Sequence, residues 1–265
     1  MKPMSKRVVA ATSFSDMEKM CKLKPRFCPG MLNCPEMNVM TLHSTESSRP
    51  RAIVCDVGHT IIAESVLNHV LARLGRLGAV RVLYDRSVLT IENEVQMEAW
   101  VEQVIREKVD AMQGVDVSSV LRFASQVPLT PGFDQLLDRA LSSQVPFMLM
   151  GAVPTLITEA LIAPMRRAIS NIAGTEVVTV NGQIDRVTRV CTPRAKAQAV
   201  KKWLAAIGIA TEETVVIGDS IGDLCAMGLV PKGNRVAFNA DPDIVPFAGR
   251  SHSGAMYELT QELFG

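Results

Sequence analysis

The sequence predicts an α/β fold, a doubly wound parallel sheet with an inserted helical cap, on the basis of two patterns. From residue 51 onward, short apolar runs that end at Gly or Asp alternate with segments whose apolar residues recur every three or four positions. This alternation is typical of buried parallel strands joined by right-handed helical crossovers. Three helical segments without an intervening strand follow the first strand. We therefore expect a core domain of residues 51–61 and 128–265 and a helical insert at 62–127.

The first strand is predicted at residues 52–55, an apolar run that stops at Asp56 and Gly58. The insert after it is predicted to be helical because its apolar residues lie on one face at three- and four-residue intervals. The predicted helices of the insert span residues 64–77, 91–112 and 117–124.

Alternation returns after the Pro-Leu-Thr-Pro-Gly segment at residues 128–132. Asn181-Gly182, between two apolar runs, predicts a hairpin over residues 177–190 with a tight primed turn. Thr192 and Pro193 are expected to be the N-cap and first residue of a helix that Gly208 ends. The other elements are predicted as a helix at 133–141, a strand at 145–150, a helix after Pro154, and strands at 214–217 and 235–238.

The composition of the 265-residue chain argues against several classes of function. It has 28 Lys and Arg against 27 Asp and Glu, a net charge of +1, so it lacks a general attraction for nucleic acid or an anionic membrane. No apolar run reaches the ~18 residues of a membrane-spanning helix, and residues 1–10 lack the apolar core of a secretory signal. We expect a cytoplasmic protein that binds neither nucleic acid nor membrane.

Residues 1–50 differ in composition from the rest of the chain. They carry eight basic and four acidic side chains, seven of the fourteen Met, three of the six Cys and five Pro, without a sustained helical or strand period. This composition predicts a poorly ordered basic extension, which is a candidate segment for binding a protein partner.

Three cysteines lie in this extension: Cys21, Cys28 and Cys34. Their spacing differs from the paired Cys-x-x-Cys of zinc ribbons and fingers, and a fourth ligand would have to come from His43 or a partner. Free thiols are the favoured interpretation, and a metal or iron–sulfur site is the alternative. The remaining cysteines are predicted to be small buried apolar residues: Cys55, Cys191 and Cys225.

Three carboxylates follow predicted strands: Asp56 after the first, and Asp219 and Asp223 after a later one. A single Asp in this place is most often a helix N-cap. Two strand-end loops that each present Asp beside Gly or Ser, with Lys196 at a helix start, instead indicate a hard-cation site. Carboxylate oxygens suit Mg²⁺, and a lysine ammonium suits a phosphoryl group.

These motifs resemble those of the haloacid dehalogenase (HAD) superfamily, and within it the phosphoserine phosphatase-like branch. Asp56-Val-Gly-His-Thr60 is similar to the family's first motif, Asp-x-Asp-x-Thr, Lys196 to its third, and Gly218-Asp-Ser-Ile-Gly-Asp223 to its fourth. The resemblance extends from residue 51 to the C-terminus, and the helical insert corresponds to the family's cap. It implies a HAD-like Rossmannoid core and a Mg²⁺-dependent hydrolase of a small phosphorylated metabolite.

The resemblance also implies a role for each motif residue. Asp56 would be the nucleophile that forms an aspartyl-phosphate intermediate, and Lys196 would hold Asp56 and the transferring group together. Thr60 would position the loop of the nucleophile. The implied metal site consists of Asp56, the backbone carbonyl of Gly58, Asp219, and Asp223 as a ligand or an orienting residue.

Two departures from the family pattern argue against ordinary phosphatase activity. The family's general acid and base, the second Asp of the first motif, is Gly58 here, and losing such a group typically costs ~10²–10⁴ in rate. The Ser or Thr of the second motif, which should end the strand at 145–150 and bind the phosphoryl oxygen, is Met150. Three interpretations remain open: His59 as a substitute proton carrier, a chemistry other than ester hydrolysis, and a catalytically impaired protein with a binding or regulatory role.

Two residues of the insert are candidates for substrate binding. In phosphoserine phosphatases an acidic side chain shortly after the first motif meets the substrate amine, and here Glu64 lies one position before the corresponding Ser65. Lys108 lies where an Arg that reads the substrate carboxylate is expected. Both types of residue are more often solvated on helix surfaces. We predict a phosphatase-like hydrolase of small phosphorylated metabolites, without assigning phosphoserine as the substrate.

Overall fold

The structure is a computed structural model that describes residues 49–80 and 94–265. Almost all of the predicted N-terminal extension, including Cys21, Cys28, Cys34 and His43, lies outside the described residues. The predictions of a metal or iron–sulfur site and of a partner-binding segment there remain predictions. The predicted start of the second helix, at residue 91, also lies outside them.

The described part of the chain forms one seven-stranded sheet. Its strands are β1 (Ala52–Asp56), β2 (Phe147–Pro154), β3 (Asn171–Val180), β4 (Gln183–Arg189), β5 (Thr214–Gly218), β6 (Arg235–Phe238) and β7 (Arg250–His252). The strand order is β4-β3-β2-β1-β5-β6-β7, and every neighbouring pair is parallel apart from β3 with β4. The predicted doubly wound α/β fold is confirmed.

Eight α-helices are described with this sheet. They are α1 (Val66–Arg73), α2 (Glu94–Asp110), α3 (Val117–Ala124), α4 (Phe133–Ser142), α5 (Thr155–Leu161), α6 (Pro193–Ile207), α7 (Leu224–Met227) and α8 (Tyr257–Phe264). The three helices α1, α2 and α3 follow one another between β1 and α4, as the sequence predicts for the insert. Among the described helices, none has the length and apolar character needed to cross a membrane.

The core lies on both faces of the sheet because side chains alternate along each strand. In β1, Ile53 and Cys55 belong to the apolar cluster on one face, and Ala52 and Val54 belong to the cluster on the other. All four are fully buried. A strand covered on both faces reads as a continuous apolar run, which is why β1 could be predicted from the sequence.

Helix α1 is shorter than predicted and begins after Glu64. Ser65 is its N-cap, with its hydroxyl accepting a hydrogen bond from the Asn68 N–H at 3.4 Å. The helix ends before Gly75, whose φ of +67° is a left-handed conformation that glycine adopts without strain. The predicted helix at 64–77 was therefore too long at both ends, and Glu64 lies in the loop that leads into α1.

Strand β2 is longer than the predicted strand at 145–150, and this changes the place of Met150. The strand continues to Pro154, and Met150 lies inside it, paired with Asp56 of β1. The Met150 side chain is fully buried in the same apolar cluster as Val200 and Trp203 of α6. The predicted strand at 145–150 was therefore wrong at both ends, since β2 begins two residues later and continues through Gly151 for four residues beyond Met150.

The predicted hairpin and the predicted helix after it are both present. Asn181 and Gly182 have φ values of +51° and +77°, as a primed turn requires. The Thr192 hydroxyl accepts from the Ala195 N–H at 3.4 Å as the N-cap of α6, and Gly208 ends that helix with φ +67°. The hairpin also contacts the α2–α3 connection, where the N–H of Gly114 donates to the carbonyl of Ile184 at 2.8 Å.

The C-terminal strand β7 and helix α8 were not predicted. Strand β7 has three residues, Arg-Ser-His, at the edge of the sheet, so it carries no apolar run. Helix α8 buries Leu259, Leu263 and Phe264, an i, i+4, i+5 spacing that a search for helical periodicity could have found.

Candidate active site

Asp56 and Lys196 meet at the carboxyl end of the sheet. Asp56 is the last residue of β1, and Lys196 lies in the first turn of α6, placed there by the Thr192 cap. The Lys196 ammonium donates to Asp56 Oδ1 at 2.6 Å and to Asp223 Oδ1 at 2.8 Å. All three side chains are buried. The two carboxylates therefore compensate the positive charge of the buried lysine.

Asp223 supports the loop that follows β5. Its Oδ1 accepts from Lys196, and its Oδ2 accepts from the N–H groups of Asp219 and Ser220 at 3.1 and 3.2 Å. A Cβ at Gly218 would lie 2.6 Å from the Asp223 side chain, so this loop requires glycine for the close approach. With both oxygens already accepting hydrogen bonds, Asp223 orients the neighbouring groups.

Thr60 connects three loops of the site. Its hydroxyl donates to Asp219 Oδ1 at 3.4 Å, and its carbonyl accepts from the Thr130 hydroxyl at 2.7 Å. The N–H of Thr130 in turn donates to the carbonyl of Ile61 at 2.8 Å. The segment Leu129-Thr-Pro-Gly132 thus fixes the loop after Asp56.

The three carboxylates form a group that fits a divalent cation. One oxygen from each of Asp56, Asp219 and Asp223 lies within 4.8 Å of the others. Burial, followed by the charge of Asp223, raises the pKa of Asp56 to about 7, although Lys196 opposes the rise. Burial and the charges of Asp56 and Asp223 also raise the pKa of Asp219 well above its ordinary value. A bound cation would relieve this repulsion, and oxygen-only ligands suit Mg²⁺.

Lys196 keeps its positive charge despite being buried. Burial on its own lowers the pKa of a lysine, but the charges and hydrogen bonds of Asp223 and Asp56 outweigh it, so the pKa of Lys196 is raised well above its usual range. The ammonium is therefore available to an anionic group throughout the physiological pH range.

Gly58 leaves open space beside the nucleophile candidate. A Cβ built at this position has as its nearest neighbour Asp56 Oδ2 at 3.9 Å, an ordinary contact distance. The next residue, His59, has a φ of +57° and lines the same cavity. The backbone at Gly58 therefore accommodates a Cβ without a close contact.

A cavity of about 580 Å³ opens above these groups. Asp56, Lys196 and Asp219 line its base, and the two predicted substrate-binding residues, Glu64 and Lys108, line it as well. Lys108 is 8% exposed, whereas the Glu64 side chain is 50% exposed and approaches His69 Nδ1 at 3.2 Å. Of the two, Lys108 is therefore buried and not solvated on its helix surface, and the assignment of both residues to substrate binding stays a prediction. Met150 packs beneath the sheet, away from this lining.

Some lining residues were missed by sequence reasoning. Cys191 is buried, as predicted, but it also lines the cavity just before the N-cap of α6. Burial raises the pKa of its thiol, so it is a neutral wall residue. Its position next to Thr192, at the start of the helix that carries Lys196, could have indicated from the sequence that it lies in the cavity. Cys225, also predicted to be buried, is partly exposed.

The family model of haloacid dehalogenase-like hydrolases matches residues 53–228, which is more than half of the chain and includes the three charged residues at the base of the cavity and Asp223 beside them. The chain belongs to this family. HAD-like relatives of known name include the phosphoserine phosphatase of Streptomyces coelicolor, 30% identical over 72% of this chain and 45% of that protein. A phosphoserine phosphatase of Mycobacterium tuberculosis is 25% identical over 81% of this chain and 50% of its own length.

The HAD-like chain spans about half the length of these curated relatives. Solved structures with the same fold include a phosphoserine phosphatase in its apo form, with a TM-score of 0.65 and 14% identity over 80% of this chain and 98% of that one. A HAD family hydrolase from Salmonella enterica serovar Typhi also has a TM-score of 0.65, with 18% identity over 82% of this chain and 72% of that one. The predicted similarity to the phosphoserine phosphatase-like branch is thereby confirmed.

Proposed function

We propose that this HAD-like hydrolase is a Mg²⁺-dependent phosphatase that cleaves phosphoric monoesters of small metabolites through an aspartyl-phosphate intermediate on Asp56. The observation that carries the proposal is the buried contact of the Lys196 ammonium with Asp56 at 2.6 Å, beside a second strand-end carboxylate, Asp219. The named relatives, which are phosphoserine phosphatases, support the same class of reaction.

Each residue at the base of the cavity has a defined task in this reaction. Asp56 attacks phosphorus in line with the ester oxygen, so that the P–O bond of the leaving group breaks as the bond to the Asp56 oxygen forms. Lys196 orients Asp56 and stabilises the negative charge of the phosphoryl oxygens. Water then hydrolyses the intermediate, which releases phosphate and restores the carboxylate.

The remaining groups hold the nucleophile and the metal ligands in position. Asp56, Asp219 and the carbonyl of Gly58 would hold Mg²⁺, whose charge would draw the phosphoryl oxygens toward Asp56 and keep that carboxylate ionised. Asp223 holds Lys196 and the loop of Asp219 through both of its oxygens. Thr60 fixes Asp219 relative to the Asp56 loop.

A second candidate function is supported by the departures at Gly58 and Met150. The alcohol that leaves needs a proton, and glycine has none to give, while the Met150 side chain is packed away from the cavity. A HAD-like protein that binds metal and phosphoryl groups with slow turnover, in a regulatory role, fits these two residues. This candidate differs from the first in its rate alone, so a rate measurement separates the two.

The test is turnover of p-nitrophenyl phosphate with Mg²⁺ by the full chain and by Asp56→Asn. We expect the variant to lose at least about 10⁴-fold in kcat/KM, because it lacks the nucleophile. Asp138→Asn, a matched change on the exposed face of α4, should retain the rate of the unmodified protein. Equal background rates for the unmodified protein and Asp56→Asn would reject the hydrolase in favour of the binding protein.

A further inference from the structure

Helix α2, which forms one wall of the cavity, is held to the core near both of its ends. After its C-terminal end, the N–H of Gly114 donates to the carbonyl of Ile184 at 2.8 Å, and the N–H of Ile184 donates to the carbonyl of Val115 at 2.9 Å. Near its N-terminal end, Glu98 Oε1 accepts from the N–H of Arg194 at 2.6 Å. The first attachment consists of backbone groups, whereas the second is made by a carboxylate side chain.

The carboxylate of Glu98 binds the first turn of α6. The first N–H groups of a helix have no partner within the helix, so they need acceptors from elsewhere. In α6, Pro193 has no N–H to satisfy, and the N–H of Ala195 donates to the Thr192 hydroxyl at 3.4 Å. The N–H of Arg194, between these two residues, donates to Glu98. The insert therefore supplies an acceptor to the first turn of a core helix.

This turn carries Lys196, two residues after the N–H that Glu98 binds. A carboxylate beside a helix N-terminus also interacts favourably with the helix dipole, so Glu98 stabilises the turn by charge as well as by its hydrogen bond. Pro193 and Lys196 line the cavity, whereas Glu98 is not among its described lining residues. Glu98 is therefore placed to act on the site through α6 and not by contact with a substrate.

We propose that Glu98 is a positioning residue, which holds the first turn of α6, and with it the Lys196 ammonium, in place beneath α2. The contact joins the insert to the charged base of the cavity, so the position of α2 and the position of Lys196 depend on each other. This inference rests on the proposed function for the reaction that Lys196 assists, and on the Glu98–Arg194 hydrogen bond for the positioning.

The first test is the steady-state kinetics of p-nitrophenyl phosphate hydrolysis with Mg²⁺. Glu98→Ala should lower kcat by about 5- to 30-fold, since displacing a catalytic group by about 1 Å can cost as much as 10²-fold. KM should change by less than about threefold, because Glu98 does not line the cavity. Glu98→Gln keeps an oxygen acceptor at the same distance along the side chain and should recover most of kcat. If Glu98→Gln is as slow as Glu98→Ala, the hydrogen bond is not the cause.

The matched control lies one turn further along the same helix. Glu102 pairs with Arg106 of α2 at 2.8 Å, so Glu102→Ala removes a carboxylate of α2 whose partner lies within that helix. It should retain the kcat of the unmodified protein. An equal loss of kcat in Glu102→Ala and Glu98→Ala would indicate a general disturbance of α2 and overturn the inference.

A double-mutant cycle tests whether Glu98 acts through Lys196. In the background of Lys196→Met, the further change Glu98→Ala should lower kcat by less than about twofold, because the group that it positions is already absent. A merely structural role for Glu98 would leave its effect undiminished in this background. Losses that multiply in the double variant would therefore overturn the inference.

Hydrogen exchange measures the positioning without any turnover. Backbone N–H groups at the start of α6, residues 192–198, should exchange about 3- to 10-fold faster in Glu98→Ala than in the unmodified protein, the range for loss of one hydrogen bond. Glu98→Gln and Glu102→Ala should remain close to the unmodified protein. An unchanged exchange rate in Glu98→Ala would show that the contact does not hold this turn.

The outcomes separate this inference from the proposed function. If the unmodified protein does not hydrolyse the ester, the phosphatase is rejected, and the exchange at residues 192–198 alone decides whether Glu98 holds the turn. If the unmodified protein hydrolyses the ester and Glu98→Ala has the same kcat, the inference is rejected and the phosphatase stands.

Discussion

Two buried lysines mark the two ends of one cavity, and their surroundings are opposite. Lys196 is 6% exposed and contacts two carboxylates, whereas Lys108 is 8% exposed and contacts none among the described residues. The pKa of Lys196 is therefore raised, and that of Lys108 is lowered by burial. With equal burial but unequal partners, the charge of Lys196 is compensated within the fold, whereas that of Lys108 has no partner among the described residues.

This difference separates the residues expected to carry out the reaction from those expected to select the substrate. The base consists of the end of β1, the loop that follows β5 and the first turn of α6, and it holds the residues that match the family motifs. The walls consist of α1 and α2, and they include Lys108, which the sequence analysis identifies as a candidate for substrate binding. Changes at the base should therefore alter rate and metal binding, and changes at the walls should alter substrate preference and stability.

The largest effect is expected when the missing carboxylate is restored at the base. Gly58→Asp should increase kcat for an alkyl phosphate, whose leaving oxygen needs a proton, by about 10²–10⁴, because it supplies a general acid beside Asp56 Oδ2. Gly58→Asn, of the same size but without an acid, is the control and should give no comparable gain. If Gly58→Asp binds Mg²⁺ normally and turns over no faster, proton transfer is not what limits this site.

Removal of the paired lysine should have the next largest effect. Lys196→Met leaves Asp56 and Asp223 buried without their cation, so we expect the free energy of unfolding to fall by about 3 kcal/mol in EDTA. Turnover should fall by about 10²–10³ through loss of charge stabilisation. Denaturant unfolding and steady-state kinetics measure the two changes, with exposed Lys201→Met expected to stay within about 0.5 kcal/mol. A fully stable, inactive Lys196→Met would show that the ion pairs contribute nothing to folding.

Most of the base could be predicted from the sequence because parallel strands bring their carboxyl ends to one edge. Asp56 and Asp219 are distant in sequence but follow the adjacent strands β1 and β5, and the N-cap Thr192 places Lys196 beside them. Short apolar runs and capping residues are local signals, so the elements that carry these groups were visible in the sequence.

The walls and the edges of the sheet were harder to predict because their features depend on tertiary contacts. Nothing local distinguishes buried Lys108 from the exposed lysines of α6, and Cys191 enters the cavity because of where α6 begins. Strand β2 passes through Gly151, and β7 has no apolar run. The contact of the hairpin with the α2–α3 connection joins backbone groups across the fold, which periodicity does not report.

A pH titration of metal binding tests the charge balance at the base. Because the pKa of Asp56 is raised to about 7 by burial and Asp223, the ligand is largely protonated below pH 7. The affinity for Mg²⁺ should fall by about tenfold or more per pH unit below 7, since binding requires the ionised carboxylates of Asp56 and Asp219. Mg²⁺ titrations followed by thermal shift between pH 5.5 and 8 measure this, with Asp138→Asn as the control. An affinity that does not vary with pH contradicts the raised pKa.

The raised pKa of Asp56 also determines how the stability of the metal-free protein changes with pH. The folded pKa of Asp56, about 7, exceeds its ordinary value of 3.8, so the folded state binds this proton more tightly than the unfolded state. The stabilisation from this group is fully present below pH 3.8 and is lost as the pH rises through 7. In EDTA, Asp56→Asn should therefore gain stability relative to the unmodified protein as the pH rises across that interval, which melting curves at each pH would detect.

The smallest expected effect is on the free energy of unfolding when Lys108 of the walls is replaced. Its sign is opposite to that expected for Lys196. Burial lowers the pKa of Lys108 below 10.5, so at neutral pH the folded state bears the cost of a charge that the unfolded state solvates freely. Lys108→Met should raise the free energy of unfolding by about 1 kcal/mol at pH 7, and this gain should vanish as the pH rises above 10.5. Because Lys196→Met shifts stability in the opposite direction, denaturant curves of the two variants test the contrast, and destabilisation by both would mean that Lys108 already has a partner.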